Sequence, residues 1–145
     1  MNELISLFRD YCQELDQFDQ SGKEYPITQA DAVFNQYERL KRCVIRPIQK
    51  NGENIGFLIT VIPIEENHHL RICEAYIKPE HRNQGLMTQA VKEVLEKPCK
   101  DVRFMVFDKN MKALEYWKRI MTGKGYVLAG VYPIEKGLSE YMYVM

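Results

Sequence analysis

The sequence predicts an α/β fold: a single mixed, mostly antiparallel β-sheet with helices on both faces. Three observations predict it. Apolar residues recur at helical spacing up to about residue 40 and at strand spacing after Arg42. Asn51-Gly52, the dipeptide favoured in tight hairpins, sits between two apolar runs. Finally, a strand, a helix and a second strand follow one another over residues 70–107. That order calls for a right-handed crossover between locally parallel strands.

Each element has its own warrant. Leu4, Leu7, Phe8, Tyr11 and Leu15 fall three or four residues apart and define an amphipathic helix over residues 2–19. Residues 20–26 read as a loop. A second helix is expected from Thr28, which can cap it, to about Leu40. Strands around Cys43–Arg46 and Ile55–Val61 flank the Asn51-Gly52 turn. A polar turn at residues 65–69 leads to a third strand, Leu70–Ile77, and Pro79 stops it. From Gly85, apolar doublets four residues apart give a helix with one buried stripe, ended by Pro98. A strand over residues 102–107, a helix over 109–122 and strands over 126–132 and 141–145 complete one domain of 145 residues.

Composition narrows the function. Apolar residues make up 46% and charged residues 28%, an ordinary globular mix. Twenty basic side chains balance twenty acidic ones, so no net field draws the chain to nucleic acid or to a membrane. No apolar run reaches the ~20 residues that span a bilayer, and Met1–Ile5 lacks the pattern of a secretory signal. Cys12, Cys43, Cys73 and Cys99 form no metal-binding doublet and read as reduced core thiols. A cytoplasmic address and no metal are the expectations.

The stretch from Tyr76 to Thr88 carries the most chemistry. A strand ends, a turn follows, and a glycine opens a helix. Successive backbone N–H groups are exposed at the positive end of a helix there, which suits a pyrophosphate. Gly85, lacking a Cβ, lets a ligand approach the backbone closely. Any α/β protein can also start a helix this way, and both readings stand at this point.

The stretch resembles motif A of the GNAT N-acetyltransferase superfamily. That motif has Gln or Arg at the helix start, then glycine three residues on, then Gly or Ala two further. Arg82 and Gly85 match, whereas Met87 stands where the small residue is usual, a departure expected to crowd the cofactor loop without removing its N–H groups. Asn110, Ala113, Tyr116 and Trp117, followed by Gly125-Tyr126, resemble the family's motif B. The resemblance covers residues 42–132. It implies the acyl-CoA N-acyltransferase fold, with a central parallel pair that splays apart and with the family's first strand missing here. It further implies that acetyl-CoA, the acyl donor, lays its pantetheine arm against Tyr76 and Ile77. Its pyrophosphate would meet the backbone N–H groups of Asn83, Gln84, Gly85, Leu86, Met87 and Thr88, with Arg82 of the motif also in the cofactor site, and Asn110 would hold the arm near the thioester. An amine, on a small molecule or a protein, would enter near residues 20–40 and attack the thioester directly.

Two proton movements remain. Glu74 is the candidate base, as some relatives carry an acidic residue there; its other reading is a solvated charge on a half-buried strand. His81 could also serve as base, its other reading being a solvated residue in a turn beside Pro79; His68 and His69 read as residues of a polar turn. The family's usual acid is a tyrosine, and Trp117 occupies that position; indole N–H cannot donate a proton near neutral pH. Tyr116, next door, projects roughly 120° away from Asn110 on a helix, whereas Trp117 lies within ~20° of it. The alternative is an acyl-CoA-binding module of the same fold with little or no turnover. The acceptor and the oligomeric state, a homodimer included, are left open by the sequence.

Overall fold

The computed structural model describes residues 3–20, 27–62, 69–97 and 99–145. The expected polar turn at 65–69 falls largely outside them, as does most of the loop at 20–26. In order, the elements are α1 (Glu3–Leu15), α2 (Ile27–Arg39), β1 (Cys43–Lys50), β2 (Glu53–Val61), β3 (His69–Ile77), α3 (Leu86–Val94), β4 (Asp101–Phe107), α4 (Met111–Gly123), β5 (Val127–Glu135) and β6 (Leu138–Val144). The first helix is shorter than expected and tightens into a 3-10 turn at Asp16–Phe18. The second begins at Ile27, so Thr28 lies inside it rather than capping it.

Six strands form one sheet in the order β1-β2-β3-β4-β6-β5 among the described residues. All neighbours are antiparallel except β3 and β4. The β1–β2 turn is the expected two-residue hairpin. Asn51 and Gly52 both take positive φ, 53° and 80°, as a turn matching the strand twist requires. Helices cover both faces. Leu4, Leu7, Phe8, Ala30 and Phe34 of α1 and α2 pack on Phe57, Ile59 and Tyr76. On the other face Val91 and Leu95 from the α3 segment, and Trp117, Ile120 and Met121 of α4, pack on Leu58, Ile72 and Phe104.

Two irregularities in β3 create the site. The parallel pairing with β4 runs only from His69 opposite Asp101 to Ile72 opposite Phe104, although both strands continue. Beyond that point they part. The pairing with β2 also slips: Thr60 faces Ile72 while Ile59 faces Glu74, which leaves Cys73 as an extra, bulged residue. The bulge changes which side chains face which way. Leu70 and Ile72 point to the α3–α4 core, but so do Ala75 and Ile77, while Cys73 and Tyr76 face α1 and α2. Strict alternation from Ile72 would have driven Glu74 into the α3–α4 core; instead it turns toward α1 and α2.

Candidate active site

Where β3 and β4 part, a cavity of about 590 Å³ opens. Glu74 and Ala75 line one wall, Phe104, Val106 and Phe107 the other, with Asn110 and Trp117 behind, and Tyr11, Tyr37 and Leu40 over the helical side. Arg71 and Glu140 also line it; their charges meet at 3.6 Å, too long for a hydrogen bond.

Glu74 is no solvated strand charge. Its two carboxylate oxygens each accept a hydrogen bond of 2.7 Å, from the hydroxyls of Tyr11 on α1 and Tyr37 on α2. Burial raises its pKa, and the two hydroxyls oppose that rise by stabilising the charged form. Cys73, beside it, is pushed up to about 11, chiefly by burial and then by the Glu74 charge.

The β3–α3 turn has the expected shape. Asn83 and Gly85 take φ of 63° and 76°, and Gly85 starts α3 with no side-chain cap. The N–H groups of the first helical turn therefore lack acceptors within the helix. A Cβ built on Gly85 would meet nothing within 4 Å, so the space in front of the turn is open. Gly85, Thr88, Gln89 and Lys92, with Lys124 across from them, line a shallow groove of about 460 Å³ along α3. Met87 does not crowd this turn; it packs against the core beneath α3. Leu86 does the same. Gln84 accepts from the Lys50 ammonium at 2.5 Å.

Arg82 turns elsewhere. Its Nε donates to the Ile77 carbonyl at 2.7 Å, its NH2 group donates to Glu14 at 2.8 Å, and the guanidinium lies 5.5 Å from the centre of the Tyr76 ring. The side chain braces the end of β3 against α1 instead of reaching over the turn. His81 lies in the preceding 3-10 turn, Pro79–His81, outside the cavity lining.

Asn110 caps α4, its side-chain oxygen accepting from the Ala113 N–H at 3.3 Å. Capping uses only that oxygen, so the amide NH2 remains a donor for the cavity. Trp117, 8% exposed, packs on Phe104 with ring centres 5.2 Å apart and lines the cavity. Tyr116 points to the other side, where its hydroxyl bonds Thr88 at 3.0 Å and Arg119 lies over its ring. The structure thus brings Glu74, Asn110 and Trp117 to one cavity and leaves Tyr116 outside its wall. Tyr11 and Tyr37 were not among the sequence candidates. On helices they read as core, and their shared partner lies 63 and 37 residues away.

A parallel pair that parts over a cavity, next to a glycine-led helix with free N–H groups, defines the acyl-CoA N-acyltransferase class of fold. A family model described as the acetyltransferase (GNAT) family matches residues 2–121, and the chain belongs to that family. Over 59 residues it is 35% identical to the thialysine N-epsilon-acetyltransferase of Bos taurus, an alignment spanning 38% of this chain and 35% of that protein. The match thus spans about a third of the curated relative's length. An acetyltransferase from Thermus thermophilus superposes with a TM-score of 0.72 at 17% identity, covering 98% of this chain and 88% of the other. The spermidine N-acetyltransferase from Vibrio cholerae, solved in complex with CoA and spermine, gives 0.68 at 12% identity, covering 99% and 91%. Among the described residues no helix is long and apolar enough to cross a membrane.

Proposed function

We propose that the chain transfers an acetyl group from acetyl-CoA to a primary amine by direct attack on the thioester. The observation that carries this is the parting of β3 from β4 over a cavity with a half-buried, doubly hydrogen-bonded carboxylate on one wall. Beyond Ile72 the inner edge of β3, with Tyr76 and Ile77, has no strand partner in β4, and it suits an amide-bearing pantetheine arm. The open turn from Asn83 to Thr88 fits the pyrophosphate through backbone N–H groups and the helix dipole, with Gly85 giving access. The groove along α3 suits the nucleotide end.

The amine enters from the side of Tyr11, Tyr37 and Leu40. Its nitrogen bonds to the thioester carbon, the carbon–sulfur bond breaks, and the Glu74 carboxylate takes the proton that the nitrogen sheds. Trp117 has no proton to give. The thiolate therefore leaves unprotonated, which a thiol pKa near ~8.5 makes tolerable. The amines that the relatives' names carry, thialysine and spermine, are the natural first acceptors to try.

A second reading, a module that holds acyl-CoA without turnover, draws on Trp117 at the tyrosine position and on the Tyr116 hydroxyl being engaged by Thr88. One experiment separates the two. Calorimetry should detect CoA binding to the wild type and not to a folded Gly85→Glu variant. Free thiol should then appear when acetyl-CoA is mixed with thialysine, lysine, spermine or spermidine. Binding without thiol release favours the module, and unaltered CoA affinity in Gly85→Glu refutes the cofactor site.

A further inference from the structure

We propose that Tyr11 and Tyr37 are positioning residues for deprotonation of the acceptor, one hydroxyl from each of two helices fixing the Glu74 carboxylate at the cavity wall. The inference rests on the acyltransferase reading above and adds to it a device in the α1–α2 layer.

The geometry is specific. Each hydroxyl takes a different oxygen of Glu74 at 2.7 Å, so the carboxylate can neither rotate nor withdraw without losing a bond. An ionised carboxylate has about four lone-pair sites, and two remain for a proton arriving from the amine. All three residues line the cavity. The rings are anchored independently of their hydroxyls: Tyr11 packs edge-on against Phe57 at 5.5 Å, and Tyr37 meets Phe8 at 6.4 Å. A carboxylate in this wall carries a desolvation cost that an apolar side chain would avoid, so two tyrosines and an acid form a costly way to fill a core.

The groups that face Glu74 directly are phenols and thiols. Tyr11 and Cys12 face it from α1, Tyr37 from α2 and Cys73 from β3, with Cys43 of β1 behind Cys73 and Tyr37. Burial raises all five; Cys12 reaches about 12 and Cys73 about 11, with the Glu74 charge adding to both. Arg71 and Glu140 lie farther along the same cavity wall. The hydroxyls, which favour the charged form of Glu74, set where its contribution to the acid limb of the rate profile falls.

The test uses Tyr11→Phe and Tyr37→Phe, which keep the ring and remove the hydroxyl. In protein labelled with carboxyl-13C glutamate, the signal absent from Glu74→Gln identifies Glu74, and its titration needs no acceptor. Each phenylalanine variant should move that midpoint to higher pH. With acetyl-CoA and whichever amine of the panel turns over, the acid limb of kcat/KM should move with it. The rate at the acidic end should fall several-fold, with KM for acetyl-CoA unchanged. A merely structural role would lower the melting temperature and leave midpoint and limb in place, which overturns the inference. If one variant fails to fold, the other carries the test. A wild type that releases no thiol with any amine refutes the acyltransferase reading itself. A working wild type with unmoved variants refutes the positioning role alone.

Discussion

Replacing Glu74 by glutamine separates two consequences of one half-buried carboxylate. The amide has the same size, and its oxygen can accept from one of the two tyrosines while its NH2 donates to the other, so the 2.7 Å contacts have isosteric substitutes. What disappears is basicity. Positioned general bases contribute about 10²–10⁴-fold, and turnover should fall by that order near neutral pH. The deficit should narrow at alkaline pH, where a larger share of the amine is already deprotonated. Stability should move the other way. Burial holds the folded-state pKa of Glu74 above its unfolded value, so the folded protein keeps the proton to higher pH. Below the unfolded value the carboxyl is neutral in both states and costs nothing by ionising. As pH rises through the folded value the charge must be carried in a partly desolvated wall, and wild type loses about 1.4 kcal/mol per unit of separation between the two values. Glutamine never ionises. Relative to wild type, Glu74→Gln should gain stability as pH rises from below the unfolded carboxyl value through the raised folded value, as read by calorimetric melting across a pH series. Equal turnover and an unaltered pH–rate profile in a folded variant would refute the base assignment, and a stability difference independent of pH would refute the electrostatic account.

Other sites give sharp expectations. A Cβ on Gly56 would lie 2.2 Å from the Tyr76 carbonyl oxygen and 2.8 Å from Ile77 Cδ1, so Gly56→Ala must push β3 aside. It should cost about 1–3 kcal/mol and raise KM for acetyl-CoA; an unchanged melting temperature would contradict the close approach. Trp117→Tyr should lower stability by about 1–3 kcal/mol through lost contact with Phe104. It should raise turnover if the new hydroxyl reaches the leaving sulfur, which thiol release under saturating acetyl-CoA would measure. Tyr116→Phe loses only the bond to Thr88 and should stay within a few-fold of wild-type turnover. A hundredfold loss in that variant would make Tyr116 the acid.

Local chemistry made much of the molecule legible in advance. Asn51-Gly52 specifies its hairpin because both positions need positive φ, and Gly85 its turn for the same reason. The helix expected over residues 109–122 is α4, Met111–Gly123, which Asn110 caps. The less legible features are long-range. Nothing in Ile72-Cys73-Glu74 announces a bulge, yet the bulge turns Glu74 from one face of the sheet to the other. Tyr11 falls on the apolar stripe of α1 and reads as core, which its ring is; its hydroxyl acquires a role only when β3 arrives 63 residues later. Arg82 matches a cofactor motif by position, but Glu14 and the Ile77 carbonyl, which a linear reading does not bring near it, claim its guanidinium.

The brevity of the parallel pairing has a mechanical consequence. β1, β2 and β3 form one meander, while β4, β6 and β5 form a second antiparallel unit. Within the sheet these two slabs join along four residue pairs, His69–Ile72 against Asp101–Phe104, whereas β1 and β2 share eight. The seam is the least cross-linked line in the sheet. Amide exchange should reveal it as the boundary between two cooperative blocks, with the β3–β4 amides opening before those of the β1–β2 hairpin. A molecule seated in the cleft would span both blocks at the point where the backbone joins them least. It would act as a rivet, raising the melting temperature by mass action and merging two unfolding units into one.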